Sequence, residues 1–440
     1  MTQLSKKFSA NTAMSIVIAN MIGTGVFTSL GFQLLDIRSA PVILLLWVIG
    51  GVLALCGALC YAELGAALPR SGGEYNFLGQ IYHPAAGFIS GWISSTIGFA
   101  GPTALAAITS ATYLNAVFSQ VPIVATAAVL VLVVGLIHLG SRQGSARFQL
   151  VFTGLKILLI GLFIIAAWWH VDRLQEIRWY PTSEDLPLIT TGAFAVALIY
   201  VNYAYTGWNA ATYLVGEVEG GGRHLPRILF VGTAIVTVIY LLLHVMFLNV
   251  APMEAMSGKL EIGFVVASFA FGEEASRLVG MMLALLLVST VSAMVIAGPR
   301  ALQVIGQDFH ALRFLAIENK QGIPAAAIAF QTLMTLVLVL TSTFETILVF
   351  SSFTMALNTL ITVLGVAVLR RKNPTQTRSY SVPLYPLPML IYVGITFWTL
   401  VFVLFERPVE ALIGGGLILT GWLFYWLTKD RVEHEIHTGE

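Results

Sequence analysis

Apolar residues along the 440-residue chain fall in continuous runs of about 20, the length a helix needs to cross a bilayer, with short polar stretches between them. Twelve spans are predicted: 12–35, 41–68, 85–117, 121–138, 147–169, 190–215, 226–250, 276–303, 324–342, 344–369, 386–405 and 408–428. Ser342, Thr343 and Glu345 mark the turn that divides spans 9 and 10. Backbone groups in lipid must be satisfied within the segment, which makes helices the natural choice. The predicted fold class is therefore an all-α membrane protein, with one transmembrane domain covering residues 1–440. The acidic stretches 170–189 and 251–275 are expected to carry short surface helices, and the charged tail from Lys429 is expected to be disordered.

Composition narrows the picture. The chain is 57% hydrophobic and 10% charged, with a mean hydropathy of +0.85. A soluble domain carries roughly a quarter charged residues, so a soluble globular surface is excluded and the lipid bilayer is the expected surroundings. A net charge of +1 gives no footprint for nucleic acid. Cys56 and Cys60 lie four apart on one apolar helix, where a bridge is geometrically poor, and they read as packing thiols. The short polar segment Met1–Ser9 reads as a lead-in to span 1 and not as a cleaved signal peptide. Most of the 23 Lys and Arg, among them Lys6, Lys7, Arg70, Arg142 and Arg370–Lys372, fall on one side of the predicted spans. That bias places both termini in the cytoplasm.

Two spans carry weak points. Span 1 contains Ile22-Gly23-Thr24-Gly25-Val26-Phe27, and span 6 contains Tyr203-Ala204-Tyr205-Thr206-Gly207-Trp208-Asn209. Glycines at mid-span are poor helix propagators. Small residues there either permit close packing or, at matching positions one five-helix unit apart, mark a binding site between inverted repeats. A broken helix exposes N–H groups at the start of one half and C=O groups at the end of the other. A zwitterionic amino acid needs both: donors for its carboxylate, acceptors for its ammonium. Tyr203 and Trp208 either close over such a substrate or pack as ordinary aromatics.

Lys156 is the one charged side chain in the run 148–169. Nine positions separate it from Arg147, ~13 Å of helix at 1.5 Å per residue, about twice the reach of its stem. Functional use is the default reading of such a lysine, with snorkelling as the alternative. A fixed ammonium there could replace a bound cation, tying span 5 to carbonyls of span 1 and to hydroxyls of span 8, where Ser289 and Ser292 lie; otherwise it could carry a coupled proton. Glu63 near the inner end of span 2 is a gate or a solvated helix end. His244 reads as a packing histidine, and Tyr240 one turn earlier either lines the pocket or fills it.

At these residues the chain resembles the amino acid–polyamine–organocation superfamily, and within it the L-type amino-acid transporters. The resemblance runs over most of the chain, through Ile22–Phe27, Tyr61-Ala62-Glu63-Leu64, Pro69-Arg70-Ser71-Gly72-Gly73-Glu74-Tyr75, Tyr205–Asn209, Glu217, Leu225-Pro226-Arg227, Ala297-Gly298-Pro299-Arg300 and Asp308. It implies two inverted five-helix repeats, about 12–169 and 190–369, with two additional helices at 386–428. It also implies that Gly23, Thr24 and Gly25 meet the substrate carboxylate, and that Met21, Tyr203 and Thr206 offer carbonyls to its amine. Tyr203 and Thr206 stand where relatives commonly have phenylalanine and glycine; both changes narrow the pocket toward small neutral substrates. Lys156 matches a lysine that takes a sodium position in sodium-independent members, and Tyr240 a tyrosine tied to it.

The loop Phe118–Pro122 lacks the cysteine through which animal L-type chains join a heavy chain, so no such partner is expected and the resemblance is to a bacterial-type permease. No metal or cofactor is expected. A polyamine carrier would want an intramembrane carboxylate beside the pocket; an enzyme would want a His, Asp or Glu cluster at depth. The sequence offers neither, and leaves open an amino-acid sensor on the same fold.

Overall fold

Most apolar runs give unbroken helices; the two spans with weak points at Gly23–Gly25 and Gly207 split. The computed structural model describes residues 9–140, 142–218, 220–376 and 378–437. Span 1 is two helices, α1 (Ala10–Met21) and α2 (Gly25–Asp36), and α3 (Ala40–Ala67) follows after a short turn. A short helix α4 (Glu74–Ile81) precedes span 3, which is not continuous as expected: α5 (Pro84–Ile93) passes through a π-helical turn at Ser94–Gly98 into α6 (Ala100–Val117). Then come α7 (Ile123–His138), α8 (Arg142–His170) and the one-turn α9 (Leu186–Ile189).

Span 6 is shorter than predicted. Helix α10 (Gly192–Tyr205) stops at the Gly-containing segment, and the chain resumes as 3-10 helix over Ala210–Glu217. Helices α11 (Leu225–Val250) and α12 (Met253–Met256) lead to α13 (Ile262–Asp308), which contains a kink at Gly272 (φ 78°) and reaches beyond the predicted span 8 at both ends. The remainder is α14 (Ala325–Thr341), α15 (Phe344–Lys372), α16 (Leu387–Glu406) and α17 (Pro408–His437), whose helical backbone continues into the tail expected to be disordered. Side-chain caps start several helices: Ser9 Oγ accepts from Thr12 N at 3.2 Å and Thr191 Oγ1 from Phe194 N at 3.3 Å.

Among the described residues, eight helical stretches are long and apolar enough to cross a membrane, and four further apolar helices are shorter. The radial arrangement suits lipid. Leu136, Phe405 and Leu412 are 67%, 80% and 76% exposed, whereas Glu63, Glu74 and Lys156 are buried. Apolar side chains fill the interior and also cover much of the outside, where a soluble protein would present polar ones. We call the side where α1 begins the near face. Ion pairs tie helix ends there, Arg70 to Asp308 at 2.5 Å and Arg370 to Glu63 at 2.6 Å. On the far face Arg407 meets Glu345 at 2.6 Å and Arg178 meets Asp185 at 3.0 Å.

Candidate functional site between two broken helices

The breaks in α1–α2 and after α10 lie against each other. A Cβ on Gly25 would sit 2.4 Å from the Cα of Ala204, and one on Gly207 would sit 2.8 Å from the carbonyl carbon of Asn20. Gly207 also holds φ +106°, a conformation L side chains rarely adopt. The two weak points are therefore where backbones touch. The final carbonyls of α1 and the first N–H groups of α2 lose their intrahelical partners at the junction, with partial charges of opposite sign.

Tyr240 on α11 clamps both breaks. Its hydroxyl lies 2.5 Å from Met21 O and 2.8 Å from Ala204 O, sharing one proton between the two carbonyls. His244 one turn on packs as the sequence suggested, its Nδ1 on Tyr240 O at 2.8 Å and its ring stacked on Trp47 at 3.7 Å. Lys156 on α8 is 3% exposed. Its ammonium donates to Ile22 O at 2.8 Å and to Thr290 Oγ1 at 2.9 Å. The expected hydroxyl partners are thus corrected. Ser289 bonds Leu286 O on its own helix at 2.7 Å, and Ser292 pairs with His138 Nε2 at 2.8 Å. The helical phase of α13 turns Thr290, not its neighbours, toward α8.

Two adjoining cavities occupy the junction. The smaller, about 20 Å³, is lined by Met21, Gly23, Thr24, Gly25, Tyr203 and Thr206 among others, and has room for about one water. The larger, about 100 Å³, reaches Gly207, Trp208, Asn209, Tyr213 and Arg300. Thr24 Oγ1 and Tyr203 OH lie 2.7 Å apart, and Thr206 Oγ1 donates to Asn202 O at 3.2 Å. Carbonyls of Met21 and Tyr203 already accept one protein hydrogen bond each, and each keeps a second lone pair. The site so built offers paired donors and acceptors with no ionised side chain in the small cavity's lining.

Glu63 lies outside these cavities and is not a solvated helix end. It is fully buried, accepting from Arg370 Nε at 2.8 Å and from Val382 N at 2.7 Å, with Arg378 at 3.6 Å. It binds α3, α15 and the following loop together. Sequence reasoning missed Asn20, which lines both cavities, and Thr290. A polar residue in the last helical turn before the glycine break was the available signal for Asn20; for Thr290 only its register on α13 could have served.

Comparison with known proteins extends these observations to the whole chain. It is 30% identical to the large neutral amino acids transporter small subunit 2 of Mus musculus, over 96% of this chain and 81% of that one. It is 30% identical to the Asc-type amino acid transporter 1 of Mus musculus, over 98% and 83%. The b(0,+)-type amino acid transporter 1 of Mus musculus is 27% identical over 97% and 88%. The model of the amino acid permease family matches residues 8–428, which take in both broken helices, Lys156 and Tyr240, and the chain belongs to that family.

Proposed function

We propose that the protein is a sodium-independent secondary transporter of neutral L-amino acids, working by alternating access as an exchanger or with a proton. The observation that carries the reading is the ammonium of Lys156 on Ile22 O and Thr290 Oγ1, at the junction of the broken helices. A resident cation at that position makes a bound sodium ion redundant, while the helix-end N–H groups and the spare carbonyl lone pairs beside it suit a zwitterion. The named relatives carry amino acids in their names, two of them as large-neutral and Asc-type transporters.

In this reading the eight long and four shorter apolar helices make twelve crossings, arranged as two inverted five-helix repeats followed by α16 and α17. The near face is cytoplasmic, with both termini on that side of the cell's inner membrane. Both cysteines are buried within α3, which suits a carrier with no disulfide-linked subunit. Uptake of radiolabelled amino acids into proteoliposomes tests the proposal. Initial rates are expected to stay unchanged when NaCl is replaced by choline chloride; a several-fold drop overturns the role given to Lys156. Binding without flux would make the protein a sensor.

A further inference from the structure

Glu74 is the first residue of α4 and is fully buried. Three neutral side chains donate to it. Tyr61 OH from α3 and Asn209 Nδ2 reach Oε1 at 3.0 and 2.6 Å, and Tyr213 OH reaches Oε2. Asn209 and Tyr213 belong to the chain beyond the break in span 6, and both line the larger cavity. That segment is 3-10 helix, whose own hydrogen bonds are poorer than those of an α-helix. Its position therefore leans on contacts from outside.

Those contacts converge on α3 and the start of α4. Trp208 stands edge-on to Tyr61 with ring centroids 4.7 Å apart, and Gly216 N donates to Ser71 Oγ at 3.1 Å. Gly73 holds φ +58°, and a Cβ on it would lie 2.4 Å from the Tyr213 ring. The backbone before Glu74 is thus built directly onto Tyr213. Bonds to a carboxylate are about twice as strong as neutral ones, which makes Glu74 the firmest of these ties. The segment runs from the mid-membrane break toward the near face, where α11 begins.

We propose that Glu74 is a positioning residue that fixes the second half of the broken span, and with it the Asn209–Tyr213 part of the large cavity's wall, which leads from the break toward the near face. For the cavity to open on that face, its bonds to Asn209 and Tyr213 exchange while the one to Tyr61 stays within the α3–α4 unit. The inference rests on the transport reading, and its test includes a readout that needs no flux.

The full-length protein is purified with Cys56→Ala and Cys60→Ala, and a reporter is placed in the cavity wall by Ala297→Cys. Labelling of that thiol by a charged methanethiosulfonate reagent is compared across Glu74→Gln, Glu74→Asp and Tyr213→Phe, alongside substrate binding and exchange. Glu74→Gln keeps the shape, removes the charge and turns an N–H toward donors. Labelling is expected to quicken several-fold, and turnover to fall about tenfold, the scale of one lost hydrogen bond to a charged group. Equilibrium affinity should move less than turnover, Glu74→Asp should recover part of both effects, and Tyr213→Phe should give a smaller change in the same direction. Lost turnover with unchanged labelling overturns the positioning role and assigns Glu74 to handling substrate or proton. No change in either readout overturns it also. A labelling response in a protein without amino-acid flux would instead overturn the transport reading and leave Glu74 as proposed.

Discussion

The ammonium of Lys156 lies 2.8 Å from the carbonyl oxygen of Ile22, the residue that caps α1 at its break. That bond joins α8 to the free end of a broken helix, and the second bond, to Thr290 at 2.9 Å, carries the tie on to α13. Three elements distant in sequence thus meet at one charged group in the interior.

Lys156→Ala leaves the Ile22 carbonyl and the Thr290 hydroxyl without that donor, at about 1–3 kcal/mol for a buried polar group left unpaired. In the alternating-access cycle proposed above, α8 and α1 change their separation between the two open states, and the cost falls unequally on them. Turnover in proteoliposomes is expected to fall severely while substrate affinity changes less. Thr290→Val should reproduce part of the loss, and Ser289→Ala should do so far less. Equal effects of the two would undo the assignment of Thr290.

The helices were legible because lipid imposes a length and an apolar composition that few other folds share. Both breaks were legible because Gly23, Gly25 and Gly207 interrupt otherwise strong helical runs, and backbone contact at Gly25 and Gly207 supplies the reason. Lys156 stood out because charge is costly at that depth. Its partner on α13 did not, since Ser289, Thr290 and Ser292 differ only in helical phase, which packing against α8 decides. Glu63 was ambiguous, and Glu74 drew no reading of its own, for a related reason: a carboxylate near a helix end looks solvated until distant donors, Arg370 in one case and Tyr213 in the other, are brought to it by the fold.

Substrate size should be set by Tyr203 and Thr206, which line both cavities. A methyl-sized change in a pocket shifts discrimination by about 1–3 kcal/mol. Small neutral amino acids are expected to compete best against labelled substrate in the parent protein. Thr206→Gly should broaden the range toward larger ones, and Tyr203→Phe should do so less, removing one hydroxyl's volume and leaving Thr24 Oγ1 without its 2.7 Å partner. Strongest competition by phenylalanine or leucine in the parent would contradict the size argument.

The far-face strap around Asp185 should respond to acid. Its carboxylate accepts from Ser39 Oγ at 2.6 Å, from Thr182 N at 2.8 Å and from Arg178 Nη2 at 3.0 Å. The Ser39 hydrogen bond first, then the Thr182 N–H, hold its pKa below the ordinary 3.8. A folded-state pKa below the unfolded one gives stability that is present above the unfolded value and is lost as pH falls through the folded one. The stability gap between the parent and Asp185→Asn should therefore be constant at neutral pH and close below 3.8. Thermal unfolding in detergent across that range measures it, and a gap independent of pH would remove Asp185 as its source.

The crossing of α2 and α10 gives the most local prediction, because there a single methyl group has nowhere to go. A Cβ on Gly25 would lie 2.4 Å from Ala204 Cα and 2.6 Å from Ala204 Cβ, whereas one on Gly161 of α8 would meet nothing within 4 Å. Overpacking a tight contact costs about 1–3 kcal/mol, while Gly→Ala in an open helical position gains up to about 1 kcal/mol. Gly25→Ala should therefore lower the apparent melting temperature and turnover together, and Gly161→Ala should leave both equal or higher. Pairing Gly25→Ala with Ala204→Gly removes the clash at 2.6 Å but not the one at 2.4 Å, which is with backbone. Rescue by the second change should accordingly be partial. Full rescue would mean that the two helices can separate at no cost, and a Gly25→Ala protein as stable as the parent would mean that they do not cross in contact at all.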